Sequence, residues 1–314
     1  MRRCSARWCS SASASIGDVV RRWLLVAIAM TGAPVMAMAQ DQPLGGVVRT
    51  ERLAAGPEGR QFRVFVPDRR PPAGARPMIV MLHGCTQDAA DVARGTRLDG
   101  WAAREGFVAL YPQQESTHHP QKCWNWYDPA HVTRDRGEAA WIVHVVRHVA
   151  ATEGIDPRRI TIAGVSAGGV MAASLAVLYP EVFAAAGAHS SPPVLAATNV
   201  MSALGIMRQG ATEPVAALAE RAVAAMGPQP RAVPIIVWHG ATDAVVHPSN
   251  ATVLAEQFRA IAARTGERAA VELRVVDGVG HAWSGGAPDG TYTAPGGPDA
   301  TAAFVAFLLA QQRP

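Results

Sequence analysis

Residues 160–169 read Ile160-Thr161-Ile162-Ala163-Gly164-Val165-Ser166-Ala167-Gly168-Gly169, and a run of small and apolar residues follows from Val170 to Leu178. A β-branched strand, a sharp turn and a helix are spelled in that order, and the turn carries the pattern G-x-S-x-G. A serine hydroxyl is a poor nucleophile unless the backbone holds it proud of its surroundings beside a base. Glycine two positions before and two after Ser166 removes the β-carbons that would collide when the chain reverses so sharply. The serine itself is then expected in a strained backbone region, a state that persists mostly where function needs it. A surface turn rich in small residues is the bland alternative, and the flanking strand and helix argue against it.

Outward from this turn, strands alternate with helices. Residues 61–66 alternate and read as an edge strand ending at Pro67, after a mobile start; a proline-rich loop follows. Residues 78–82 form a fully apolar strand that runs into His83-Gly84-Cys85. A helix over 91–104, a strand over 108–111 and a polar, aromatic loop over 112–133 precede an amphipathic helix over 136–152, with Ile142, Val145, Val146 and Val149 on one face. After the elbow come strands near 183–188 and at 235–238, a helix within 250–264, a strand over 271–276 and a helix over 298–309. Residues 192–230, rich in Ala, Pro and Gly, are expected to form a cap-like insertion. This alternation predicts a mainly parallel central sheet with helices on both faces, in one domain over residues 40–314.

The 314 residues are 49 % apolar, enough for a sizeable core. The N-terminus reads as an export leader over residues 1–39. Arg2, Arg3, Arg7, Arg21 and Arg22 form a basic region, a short apolar stretch follows from Trp23, and Ala37-Met38-Ala39 offers a cleavage site. The apolar stretch is too short for a membrane span, and no lipid-bearing cysteine follows it, so no membrane anchor is expected. Without these residues the formal charge falls from +4 to zero, which argues against nucleic acid as a partner. Cys85 and Cys123 are the cysteines left in the mature chain. In an exported protein two cysteines suggest one disulfide, the alternative being two buried thiols.

Three strand ends carry chemistry. Ser166 ends one, Asp243 lies in His239-Gly240-Ala241-Thr242-Asp243 after another, and His281 lies in Gly280-His281-Ala282-Trp283 after a third. His281 is the expected base and Asp243 its orienting acid, with Asp277 the main rival to Asp243. Of the other histidines beyond the serine, His239 is expected to brace the turn that presents Asp243, His247 to lie on a surface loop and His189 to be satisfied structurally. Two backbone N–H groups are expected to face the developing oxyanion: Ala167, next to the nucleophile, and Cys85, in a loop that Gly84 lets turn. A Cys85–Cys123 bond would pin that loop to the aromatic segment Cys123-Trp124-Asn125-Trp126-Tyr127. Trp124, Trp126 and Trp283 either line the substrate pocket or plug the core. His118-His119 lacks a third ligand at suitable spacing and reads as solvated loop; no metal or cofactor is expected.

Together, Leu82-His83-Gly84-Cys85-Thr86-Gln87, Cys123-Trp124-Asn125-Trp126, Gly164-Val165-Ser166-Ala167-Gly168-Gly169, His239-Gly240-x-x-Asp243 and Gly280-His281-Ala282-Trp283-Ser284-Gly285-Gly286 resemble the polyhydroxybutyrate depolymerase-type esterases. These are secreted α/β-hydrolases related to feruloyl and acetylxylan esterases. The resemblance implies a Ser166–Asp243–His281 triad, places His83 before the oxyanion donor, and sets the aromatic loop against the substrate. It implies a secreted or periplasmic serine esterase whose partner is an oligomeric or polymeric ester: a short hydroxyalkanoate, or a feruloyl or acetyl ester of plant-wall polysaccharide. No separate polymer-binding domain is read in this chain, which favours soluble or amorphous substrates over crystalline polyester. A non-catalytic binding protein on the same fold is the reading from another class.

Overall fold

In the computed structural model, which describes residues 45–53, 60–71 and 76–313, Met78, Val80 and Leu82 point into one apolar layer while Ile79 and Met81 point into another. Both faces of that strand are buried, so residues 78–82 are all apolar instead of alternating with polar residues. It belongs to an eight-stranded sheet made of β1 (Gly46–Arg52), β2 (Gln61–Pro67), β3 (Arg76–Leu82), β4 (Val108–Pro112), β5 (Ile155–Val165), β6 (Ala186–His189), β7 (Ile235–Gly240) and β8 (Val271–Val276). The spatial order is β1-β2-β4-β3-β5-β6-β7-β8. The strands from β4 to β8 run parallel, and β2 is antiparallel to both β1 and β4. The segment expected to be an edge strand is therefore interior; β1 pairs with it from Gly46–Pro67 to Arg52–Gln61 and forms the true edge.

Helices α1 (Ala89–Thr96), α2 (Leu98–Glu105) and α8 (Ala300–Leu309) pack on one face of the sheet. The other face carries α3 (Gly137–Thr152), α4 (Ala167–Leu178), α6 (Val215–Ala225) and α7 (Ser249–Thr265). The single helix expected over 91–104 is broken at Arg97, whose backbone is left-handed (φ 53°). Its guanidinium donates to the Gly285 carbonyl, so a tertiary contact holds the break. Within residues 192–230, α6 packs against α4 and α7. The other helix there, α5 (Val200–Gln209), leaves Val200, Met201 and Leu204 exposed. A short parallel pair, β9 (Trp283–Ser284) and β10 (Thr293–Ala294), closes the loop after β8.

The leader expected over residues 1–39 lies outside the described residues. Among the described residues no helix is long and apolar enough to cross a membrane. His83, Gln114, Ser166, His189, Asp243 and His281 all follow or end the C-terminal ends of β3 to β8. Parallel strands thus deliver their polar residues to one rim of the sheet, where an open α/β sheet gathers its reactive groups.

Candidate active site

Ser166 sits between β5 and α4 with φ 55° and ψ −124°, a region a non-glycine residue occupies at a cost of about 1–3 kcal/mol. Hydrogen bonds on both sides hold it there. Ser166 N–H donates to His189 O (2.8 Å), and its carbonyl accepts from Gly169 N–H (2.9 Å), Val170 N–H (3.1 Å) and Ser191 Oγ (3.1 Å). The glycines are required by contact: a β-carbon on Gly164 would lie 2.3 Å from Gly168 O, and one on Gly168 would lie 2.3 Å from Leu82 O. Gly169, whose role the motif does not announce, is equally constrained, since its β-carbon would meet Ser191 Oγ at 2.1 Å.

His281 Nε2 lies 3.0 Å from Ser166 Oγ, and its Nδ1 is 2.7 Å from Asp243 Oδ2. Because the carboxylate can only accept, Nδ1 carries the proton of that bond and Nε2 is turned to the serine. Asp243 is buried, and every side of its carboxylate is occupied. Oδ1 accepts from Val245 N–H (2.9 Å) and Val246 N–H (2.8 Å), while Oδ2 is also 3.3 Å from His239 Nε2. Burial alone would raise its pKa. The hydrogen bonds from His239 and His281, the charge of His281 and the Val246 N–H outweigh burial and hold the carboxyl well below the usual range. His239 also donates to Val246 O (2.9 Å), bracing the turn as expected. Asp277 is exposed on the turn after β8 and His247 is occupied with Ser249 (2.8 Å). His189 is buried, stacked 4.8 Å from Trp283, and accepts from Ser284 N–H (3.3 Å); burial, with His239 and His281 nearby, keeps its pKa well below the ordinary value.

The loop after β3 approaches the serine closely: a β-carbon on Gly84 would be 3.5 Å from Ser166 Cβ. Gly84 N–H donates to Gln87 Oε1 (2.9 Å). His83 is wholly buried, and burial lowers its pKa to about 4. Its Nε2 accepts from Gln114 N–H (3.0 Å), so Nδ1 is the protonated nitrogen and donates to Gly84 O (2.7 Å). In a trans peptide the N–H points opposite to the C=O, so pinning the Gly84 carbonyl turns Cys85 N–H away from the His83 ring. Neither Cys85 N–H nor Ala167 N–H meets a hydrogen-bond acceptor among the described residues.

Cys85 and Cys123 form a disulfide, which joins this loop to the aromatic segment. The tryptophans do not line the site. Trp124 is 0 % exposed, packs against His83 and Trp141, and donates from Nε1 to His83 O (3.1 Å). Trp283 is 2 % exposed between His189 and Phe304, with Nε1 donating to Thr301 Oγ1 (2.9 Å), and Trp126 is buried against Tyr127. All three side chains belong to the core, which corrects their assignment to substrate. What folds the aromatic loop inward is Glu138 on α3, whose carboxylate is fully buried. It accepts from Asn125 N–H (2.8 Å), Asn125 Nδ2 (2.7 Å) and Gln114 Nε2. A carboxylate four residues before Ile142, on the apolar face of α3, is the sequence signal that marks it. His119, read as solvated loop, accepts from Cys123 N–H (3.2 Å). Among the described residues no three His, Cys, Asp or Glu side chains converge as metal ligands.

The site can therefore transfer a proton from Ser166 to His281 and stabilise the resulting imidazolium through Asp243. The sequence profile described as "Esterase PHB depolymerase" matches residues 66–276. The chain is 34 % identical over 251 residues to poly(3-hydroxyalkanoate) depolymerase C of Paucimonas lemoignei, covering 78 % of this chain and 57 % of that protein. It is 32 % identical over 167 residues to feruloyl esterase B of Neurospora crassa, covering 53 % of each. The chain thus spans little more than half the length of these curated relatives. Among solved structures it resembles an acetyl xylan esterase from Aspergillus awamori, with TM-score 0.65, 19 % identity and coverage of 74 % of this chain and 94 % of that one. That likeness identifies the fold as an α/β-hydrolase, and the match over 66–276 settles the lineage: the chain belongs to the esterase PHB depolymerase family.

Proposed function

We propose that this protein is an exported serine esterase that hydrolyses short hydroxyalkanoate esters or oligomers through an acyl-enzyme. The observation that carries the reading is the continuous contact Ser166 Oγ–His281 Nε2–Asp243, at 3.0 and 2.7 Å. In this mechanism Ser166 Oγ attacks the ester carbonyl carbon as its proton passes to His281 Nε2. The carbonyl oxygen becomes an oxyanion held by Cys85 N–H and Ala167 N–H, worth about 3 kcal/mol per donor. Collapse breaks the bond to the alkoxy oxygen, which leaves with the proton from His281. Water then repeats the sequence on the acyl-serine, with His281 as base, and regenerates the serine. His83 and Gly84 act on the donor loop: one orients the Cys85 peptide, the other lets it approach. Export is supported by the basic and apolar residues ahead of Ala37-Met38-Ala39 and by the disulfide.

Initial rates on p-nitrophenyl acetate with the mature protein and with Ser166→Ala test the chemistry. Loss of about four orders of magnitude or more in kcat is expected; equal rates would leave a non-catalytic binding protein as the better reading. The identity to a feruloyl esterase favours feruloyl or acetyl-polysaccharide esters as the second substrate class. Hydroxybutyrate oligomers, methyl ferulate and acetylated xylan compared side by side separate the two, with the oligomers expected to give the highest kcat/KM.

A further inference from the structure

With the tryptophans in the core, the site's substrate-facing surface must come from elsewhere, and the loop between β9 and β10 supplies a candidate. Tyr292 is 51 % exposed and is the only aromatic ring among the exposed large apolar side chains of the described residues. Its backbone carbonyl accepts from Trp283 N–H (2.7 Å), two residues past His281. Its hydroxyl lies 3.0 Å from Thr86 Oγ1, next to Cys85. Thr86 spends its own proton on Cys85 O (2.6 Å), so Tyr292 is the donor in this pair. One side chain thus spans from the loop of the base to the loop of the oxyanion donor.

The arrangement is held against local preference. Tyr292 has φ 52° and Thr86 φ 65°, conformations that bulky and β-branched residues rarely adopt. The neighbours are tied down as well. Thr291 N–H donates to Asp91 Oδ1 (3.1 Å), and Gln87, which accepts from Gly84 N–H, donates to Thr291 O (3.2 Å). Strain kept at a ring that stays half exposed belongs with function more than with stability.

We propose that Tyr292 is a specificity-determining residue of the site. In this role its ring is the wall on which an apolar chain or aryl group next to the scissile carbonyl packs, and the Thr86 tether sets the angle of that wall. The inference rests on the serine-esterase reading above. Methyl acetate against methyl butanoate varies the acyl side, and methyl acetate against butyl acetate varies the alcohol side, each followed by titration of released acid. Tyr292→Ala is expected to lower the long-to-short ratio of kcat/KM roughly two- to tenfold in one of the two series, the range of an aromatic packing contact. Methyl acetate is the reference in each ratio, so any effect of the substitution on the chemical step alone cancels. Tyr292→Phe keeps the ring and loses the tether, and should fall between the two. An active wild type whose ratios survive Tyr292→Ala in both series overturns the assignment alone. A wild type inert on every ester overturns the esterase reading, and this one with it.

Discussion

Replacing His83 by Gln converts the buried imidazole into a statement about pH. The unfolded chain titrates this histidine near 6.5, whereas burial lowers the folded value to about 4. Between those values the unfolded state binds a proton that the folded state refuses, so stability falls as pH falls, flattening below about pH 4. At pH 5 the loss from this one group is about 2 kcal/mol, approaching about 3 kcal/mol at the plateau. Urea unfolding of wild type and His83→Gln at pH 7 and pH 5 isolates it, because His189 and Asp243 contribute equally to both proteins and cancel. Wild type should lose about 2 kcal/mol more than the variant between the two pH values. Equal losses would mean that His83 is hydrated or already charged in the folded state. His83 Nε2 would then not accept from Gln114 N–H, and His83 would not orient the Cys85 peptide through Gly84 O.

Asp243→Asn should retain the acceptor for Val245 and Val246 but turn an amide toward His281 Nδ1, inverting the tautomer; kcat on a short-chain ester should fall by about three to four orders of magnitude. The paired change Cys85→Ser and Cys123→Ser opens a loop of sequence separation 38 and should cost about 4 kcal/mol in denaturant unfolding. If the disulfide also positions Cys85 N–H, kcat drops under conditions where the variant is still folded. Gly168→Ala places a β-carbon 2.3 Å from Leu82 O and should destabilise by about 3 kcal/mol or more. Gly205→Ala in α5 meets nothing within 4 Å and should stabilise by up to about 1 kcal/mol, read from the shift in melting temperature.

The elbow was legible because its geometry can be met by few residues: a β-carbon at 164 or 168 has nowhere to go. Asp243 and His281 were legible because a parallel sheet delivers its reactive groups at strand ends, which few polar residues of this sequence occupy. Failures came where tertiary contacts decide. β1 escaped notice because Gly46–Arg52 is half exposed and carries Arg49, Glu51 and Arg52, so it lacks the apolar signature of a buried strand. The break at Arg97 depends on a carbonyl nearly two hundred residues away. The tryptophans misled for a sharper reason.

An aromatic-rich polar loop announces burial of some kind, but not whether a ligand or the protein itself covers the rings. Here the decision belongs to Glu138, a buried carboxylate that draws Asn125 and Gln114 inward and takes Trp124 with them. The same network reaches the donor loop, since Gln114 N–H holds His83 and His83 holds Gly84. Packing of the aromatic loop and orientation of the Cys85 peptide are therefore one structural problem solved by one set of hydrogen bonds. A polar residue on the apolar face of α3 thus bears on the site at a remove of three hydrogen bonds, where neither hydrophobic periodicity nor a motif could reveal it.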